Sequence, residues 1–252
     1  MRRRCLTTAL TGALALSALT TFLVPAAHAD GNTTITDVVV NGGHGLALGA
    51  TAPKSFPVSV TAQDNSGIRE MNLHVRLPSY LYKAADRGLT CTAVSATTTS
   101  CTGSWTVDTS NFYGNGPADD SWYVEAYVYA NDGDWVSTDR AATFTVRRLA
   151  KLTANAAPEP VAKNATLTVT GKLTRADWST HKYAGYAGRS VKLQFRKAGT
   201  STYTTVKTVT TGRGGALKTT AKAKVDGYWR WYYGGDSTTS TAGATGDYVD
   251  VR

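Results

Sequence analysis

The chain has 252 residues, and 27 Lys+Arg against 18 Asp+Glu give it a formal net charge of +9. Three cysteines and four histidines leave no thiolate metal site and no Cys-x-x-Cys pair, and despite the basic balance nothing resembles a nucleic-acid-binding motif. The length suits two domains of ordinary size once a predicted leader is set aside.

Arg2, Arg3 and Arg4 open the chain, Leu6 to Val24 is apolar with interspersed Thr and Ser, and Ala27-His28-Ala29 precedes Asp30 as a small-x-small site. This predicts a secretory signal peptide over residues 1–29, cleaved at about Ala29. The apolar segment is long for a signal, so an uncleaved anchor is the alternative. No cysteine stands at the cleavage site to take a lipid, and no apolar tail closes the chain at Val251-Arg252. The mature protein is expected to be exported, extracellular and without a membrane span. Its charge is uneven: residues 30–148 hold 8 basic and 12 acidic side chains, net −4, and residues 149–252 hold 16 and 6, net +10. That asymmetry makes the second half attractive to polyanions such as anionic cell-wall polymer or acidic polysaccharide; nucleic acid ranks last as a partner. With Cys5 in the leader, Cys91 and Cys101 are left to pair in an oxidising compartment. Closing so short a loop contributes roughly 2 to 3 kcal/mol.

In the first half, Thr33 to Val40 is β-branched and ends at the turn Asn41-Gly42-Gly43. Phe56, Val58, Val60 and Ala62 alternate inward, with Pro57 near a strand start. Asp64-Asn65-Ser66-Gly67 turns the chain into Ile68 to Leu77, where Met71, Leu73, Val75 and Leu77 keep register and Pro78 stops it. From Ser79 to Gly103 the alternation breaks down, and an irregular insertion stapled by the cystine is expected. Trp105 to Val107 is a short strand and Asn111 to Asp120 a loop. Trp122 to Ala130 is a strand rich in tyrosine, Asn131-Asp132-Gly133-Asp134 a turn, and Ala142 to Val146 the closing strand.

Arg147 to Lys151 passes into the second half with no Gly/Ser/Pro linker, so the halves should abut with little freedom. Thr166 to Leu173 follows, with Leu167, Val169 and Leu173 inward and Gly171 a bulge or a close approach. Ser190 to Arg196 points Val191, Leu193 and Phe195 inward, and Tyr203 to Thr210, Ala216 to Lys224 and Tyr248 to Val251 complete the set. Gly227 to Tyr233 puts Trp229, Trp231 and Tyr233 on one face and Tyr228, Arg230 and Tyr232 on the other. About seven short strands per half, with turns between and no helical period, predict an all-β chain of two antiparallel immunoglobulin-like β-sandwich domains in tandem, 30–148 and 149–252.

The runs Ser190 to Phe195, Tyr203 to Val206, Thr210-Thr211-Gly212 and Gly227 to Asp236 resemble a bacterial immunoglobulin-like repeat of exported actinobacterial proteins. The first half, through Phe56 to Ala62, Asp64 to Ile68 and Tyr129 to Gly133, resembles another such domain. The resemblance covers nearly the whole mature chain and implies a fold far more than a function, since such tandem proteins carry generic labels, sometimes calcium-binding.

No chemistry of an enzyme is legible. His44, His74 and His181 lie on separate segments, and there is no Gly-x-Ser-x-Gly elbow, His-Glu-x-x-His pair or phosphate-cradling loop. Asp119-Asp120 and Glu125 are the candidates for a glycosidase pair, as members of an acidic loop. No cofactor is expected, calcium apart: Asp64, Asn131, Asp132 and Asp134 supply turn oxygens if both turns lie at one end of the sandwich, although Asp, Asn and Gly are also what tight turns use. Tyr123, Tyr127 and Tyr129 on one strand, and Tyr228, Arg230 and Tyr232 on the other, are the candidate ligand-binding residues, because aromatic ladders with polar tips hold sugar rings or peptides. The function expected is a non-enzymatic binding or structural role at the cell wall or on an anionic extracellular polymer. A carbohydrate-binding accessory module or a calcium-binding immunoglobulin-like protein is the alternative.

Overall fold

Alternation of apolar and polar residues builds the strands, as it must where one sheet face is packed and the other is wet. The computed structural model describes residues 31–76 and 82–252, with backbone alone over 82–84 and 119–121. The predicted leader and the stop at Pro78 lie outside the described residues.

The first half holds β1 (Thr34–Val40), β2 (Leu46–Leu48), β3 (Lys54–Gln63), β4 (Ile68–Arg76), β5 (Tyr82–Ala84), β6 (Thr90–Ala93), β7 (Thr98–Val107), β8 (Asp119–Ala130) and β9 (Trp135–Arg148). One sheet runs β1-β3-β7-β6 and the other β2-β9-β8-β4-β5. All pairs are antiparallel except β2 with β9. Lettered A to G, the strands β1, β3, β4, β6, β7, β8 and β9 give ABED against CFG, the immunoglobulin order. The second half holds β10 (Ala150–Ala157), β11 (Thr166–Asp177), β12 (Lys182–Gly185), β13 (Ser190–Lys197), β14 (Thr204–Thr210), β15 (Ala216–Lys222), β16 (Gly227–Tyr233), β17 (Ala242–Gly243) and β18 (Asp247–Val249). Here β10 and β15 flank β11 in one sheet, and β14-β13-β16 carries β17 and β18 at its edge in the other. Strand β11 is long enough to pair β15 through Lys172 and then β12 from Thr174 onward. The chain is therefore all-β, two antiparallel immunoglobulin-like sandwiches in tandem.

The expected inward residues are the core. Phe56, Val58, Val60, Ala62, Met71, Leu73 and Val75 are buried with Trp105 and Trp122, and Trp122 tilts against Phe144 at 5.8 Å. Pro57 lies just before Val58, the first residue of β3 to pair with β1, so β3 has an open side there while Pro57 stands opposite Ser104 of β7. In the second core Leu167, Val169, Leu173, Val191 and Leu193 surround Trp229, Trp231 and Tyr233; Phe195 is half-buried, its ring 4.8 Å from Trp229. Gly171 is a close approach, since a Cβ there would stand 2.6 Å from the Trp231 ring.

One expectation fails. The Thr/Ser-rich stretch read as an irregular insertion is regular sheet: β7 spans ten residues, includes Trp105 to Val107, and pairs with β6. Every residue of β6 is exposed, so this edge strand needs no apolar face and shows no apolar period. Cys91 and Cys101 are direct cross-strand partners and form the disulfide, which staples that edge to β7.

The sandwiches meet through a plug. Asp177 to Lys182 turns β11 into β12, and Trp178 at that turn is fully buried within the core cluster of the first sandwich. Its ring stands edge-on to Phe112 at 5.2 Å, its Nε1 donates to the Gly49 carbonyl at 2.8 Å, and its backbone N–H donates to Asn115 Oδ1 at 2.9 Å. Asn115 Nδ2 in turn donates to Asp177 Oδ1 at 2.9 Å. Backbone bonds from Leu149 to Leu48, from Arg148 to Thr238 and from Ser240 to Arg148 close the joint.

Candidate functional site

In β16 the burial alternates residue by residue, so Tyr228, Arg230 and Tyr232 stand together on the outer face. Their cross-strand neighbours on β13 are Arg196, Gln194 and Lys192. Tyr203, just before β14, lies over this pair of strands. The Arg230 guanidinium carbon is 3.7 Å from the Tyr203 ring centre, and that of Arg196 is 4.1 Å from Tyr228 and 5.3 Å from Tyr203. Tyr248 tilts against Tyr228 at 5.1 Å. Gly246 leaves the room this needs, because a Cβ there would come within 2.3 Å of the Tyr203 hydroxyl.

Arg230 Nε donates to Gln194 Oε1 at 2.9 Å, and Arg196 donates to the Thr200 carbonyl. Among the described residues neither arginine has a carboxylate within salt-bridge distance. Tyrosine rings, not acids, hold these cations. Stacking fixes the guanidinium planes by cation–π attraction and leaves N–H groups that match the two oxygens of a carboxylate or phosphate.

The corresponding face of β8 is closed. Tyr123, Tyr127 and Tyr129 are half-buried there, as Tyr228, Arg230 and Tyr232 are on β16, but Glu125 between them is buried, with Oε2 2.8 Å from Arg76 Nη2 and 3.9 Å from His74 Nδ1 on β4. Arg140 covers Tyr123 at 4.3 Å, Arg69 approaches Tyr129 at 6.0 Å, and His74 packs on Tyr127 at 5.6 Å. Burial pushes the His74 pKa down, which favours the neutral ring. Glu125 is thus paired with Arg76 and lies beside a neutral His74, while the side chains of Asp119 and Asp120 lie outside the described residues. His44 and His181 are exposed on other elements.

The two acidic turns do meet at one end of the first sandwich. Asp64 Oδ2 and Asp134 Oδ2 each lie 2.8 Å from Thr33 Oγ1, and Thr33 N–H donates to Asp134 at 2.9 Å. Ser66 donates its N–H and hydroxyl to Asp64 Oδ1, Asn131 Nδ2 donates to the Ser66 carbonyl, and Asp132 Oδ1 accepts the Asp134 N–H. Burial raises the Asp64 pKa, but the Ser66 and Thr33 donors outweigh it and the net direction is down. These donors take up both Asp64 oxygens, Asp134 Oδ2 and Asp132 Oδ1, whereas Asp132 Oδ2 is shut off from solvent without a hydrogen-bond partner. Among the described residues no group of three or more His, Cys, Asp or Glu is placed to hold a metal ion.

Sequence reasoning singled out Tyr228, Arg230 and Tyr232 but missed Arg196, Gln194 and Tyr203. A signal existed for the first two, which alternate with Val191, Leu193 and Phe195. None existed for Tyr203.

These features define a class, a tandem immunoglobulin-like β-sandwich protein with one closed and one cationic aromatic face. No protein-family model matches the chain, and no curated protein matches it. Among solved structures it is similar to the D00-D0 domains of Intimin, at 14% identity over 84% of this chain and 99% of that one, with a TM-score of 0.28. It is also similar to a bacterial ice-binding adhesin, at 16% identity over 87% and 65% with a TM-score of 0.32. The third is the mouse nectin-like molecule 4 ectodomain, at 10% identity over 87% and 63% with a TM-score of 0.26. The chain spans just under two thirds of the length of the last two. At these identities and TM-scores the likenesses carry no ligand or partner across, and the fold assignment rests on the strand order. No helix among the described residues is long and apolar enough to cross a membrane.

Proposed function

We propose that the chain is an exported, non-enzymatic binding protein of the actinobacterial immunoglobulin-like kind, with a leader ending at about Ala29 and domains over 30–148 and 149–252. It associates with the cell wall or another anionic extracellular polymer through the outer face of β14, β13 and β16. The observation that carries this reading is the pair of stacked arginines, Arg196 and Arg230, which face outward with no acid beside them, on the half of the chain whose net charge is +10. Uncompensated charge on an outer sheet face attracts a polyanion at long range and binds its oxyanions at short range. A neutral sugar would need bare ring faces, and guanidinium stacking covers several of them, so the polymer reading is preferred to a carbohydrate-binding accessory module.

The test is co-sedimentation of the mature protein with purified anionic cell wall across a salt series. Retention should fall as ionic strength rises from about 50 mM to about 500 mM, because the Debye length shrinks severalfold. It should also weaken in an Arg196→Gln/Arg230→Gln double variant. Retention indifferent to salt and to both substitutions overturns the reading.

A further inference from the structure

Where the sandwiches meet, the surface is hollowed on both sides of β2. One hollow, of about 200 Å³, is lined by Thr145, Arg147, Ser240 and Thr241. The other, of about 540 Å³, is lined by Lys54, Lys151 and Tyr183, and the two share Gly45, Leu46 and Ala47. Among the described residues no acid lines either one. A ligand passing over β2 would touch both.

Local structure sets the charges there. Parallel pairing puts Arg147 beside Ala47, on the opposite face of β9 from the buried Val146 and Arg148. Arg147 Nε is shut off from solvent without a hydrogen-bond partner. Behind it Arg148 is only 6% exposed, and its Nε also lacks a partner. Lys151 is stacked on Tyr183, its Nζ 3.8 Å from the ring centre. Arg148 lines neither hollow and lies in the field of Asp177 and Asp236, but among the described residues Lys54, Arg147 and Lys151 form no salt bridge. Cations without counter-charge in a concave site with protein walls focus their field on whatever anion enters. Clefts between domains are also among the places where small ligands preferentially bind.

We infer that the two hollows form one cleft for an oxyanion-bearing ligand, with Arg147 taking the oxyanion beside the Thr145 and Thr241 hydroxyls and Lys54 and Lys151 meeting a second anionic group across β2. The repeating oxyanion comes from either of two sources, the carboxylate of an acidic sugar or the phosphate of a polyol-phosphate chain. This site is separate from the Tyr–Arg face and does not depend on it.

Glucuronate and glycerol 3-phosphate, titrated separately at constant ionic strength into the ¹⁵N-labelled mature protein, test the inference. The expected result is saturable shifts in the amide signals of residues 45–47, 145–147 and 240–241. Binding should weaken roughly tenfold in Arg147→Gln, as loss of a charge-assisted pair requires, and stay unchanged in Arg196→Gln/Arg230→Gln. Saturation by one probe alone names the source of the oxyanion. If Arg147→Gln fails to fold, Lys54→Gln/Lys151→Gln must show the same loss. No saturable shift with either probe, or equal binding by wild type and the cleft variants, overturns the inference. Probe binding without retention on cell wall would leave the cleft standing and remove the polymer reading, and the converse result would do the reverse.

Discussion

At the centre of the outer face of β8 stands Glu125, and at the matching place on β16 stands Arg230. Each is flanked by tyrosines two positions away on either side, and each faces the neighbouring strand of its own sheet, His74 in one case and Gln194 in the other. In the first sandwich β4 also supplies Arg76, so the buried acid is paired and the face is electrically closed. In the second, β13 supplies a further cation, Arg196, and the two guanidiniums are held by tyrosine rings instead. Inner residues meet the demands of the fold, and in both halves they do so by burying alternate strand positions. What the outer residues do is therefore free to diverge, and the proposed binding role of the second face rests on that divergence.

The comparison breaks most sharply at the joint. Each sandwich has its own core, but the first is completed by Trp178 from the second half. Trp178→Ala should cost about 3 to 5 kcal/mol, as removal of a buried tryptophan does, and the loss should appear in the first sandwich. Trp231→Ala should cost about as much and appear in the second. Denaturant unfolding followed by amide signals from each half separates the two. If Trp178→Ala leaves the midpoint of the first half where it was, the plug is a contact and not part of that core.

The next effect is confined to one side. Only the first sandwich carries a cystine among the described residues, and Cys91→Ala/Cys101→Ala should lower its stability by roughly 2 to 3 kcal/mol. The second sandwich should melt as before, with differential scanning calorimetry as the check.

Smaller still is the exchange of outer charges. Arg196→Gln/Arg230→Gln should weaken retention on anionic polymer about tenfold, equivalent to about 1.4 kcal/mol. Glu125→Gln should leave retention equal or slightly raise it, since the acid it removes is already paired. If both variants weaken retention alike, the two faces are not different in kind, and the contrast between them falls.

How far the sequence foretold this depends on the residue. Val58, Val60, Leu167 and Val169 were legible because a half-buried strand writes its burial into alternation. Cys91 and Cys101 were legible because only two cysteines remained to pair. The regular edge β6 was not, since a strand exposed on both faces has no apolar period to show. Trp178 was not legible either: it sits among Asp177, Ser179 and Thr180 like an ordinary turn residue, and its partners Gly49 and Asn115 are 129 and 63 positions away. The outward direction of Arg230 followed from period two. Its stacking on Tyr203 did not, because that contact needs the chain to bring back a distant ring and Gly246 to make room for it.

The smallest effect tests whether the joint is wired by Asp177. The Ser179 hydroxyl and the Asn115 amide hold its carboxyl well below the usual carboxylate range, and Asn115 belongs to the other sandwich. A carboxyl that binds its proton less readily folded than unfolded adds stability in full above the unfolded value of about 3.9, and that stability is lost as pH falls toward the depressed folded value. The first sandwich should therefore lose stability below about pH 4 through a residue it does not contain. Asp236 has the same sign inside the second sandwich: burial raises its pKa, yet donation from Tyr186 and Tyr233 outweighs that and holds it down. Asp177→Asn should flatten the acid slope of both halves, whereas Asp236→Asn should flatten that of the second alone. Unfolding midpoints between about pH 2 and about pH 6 span the onset of both transitions. An Asp177→Asn slope unchanged in the first half would mean that Trp178 holds the joint by packing, without help from the charge beside it.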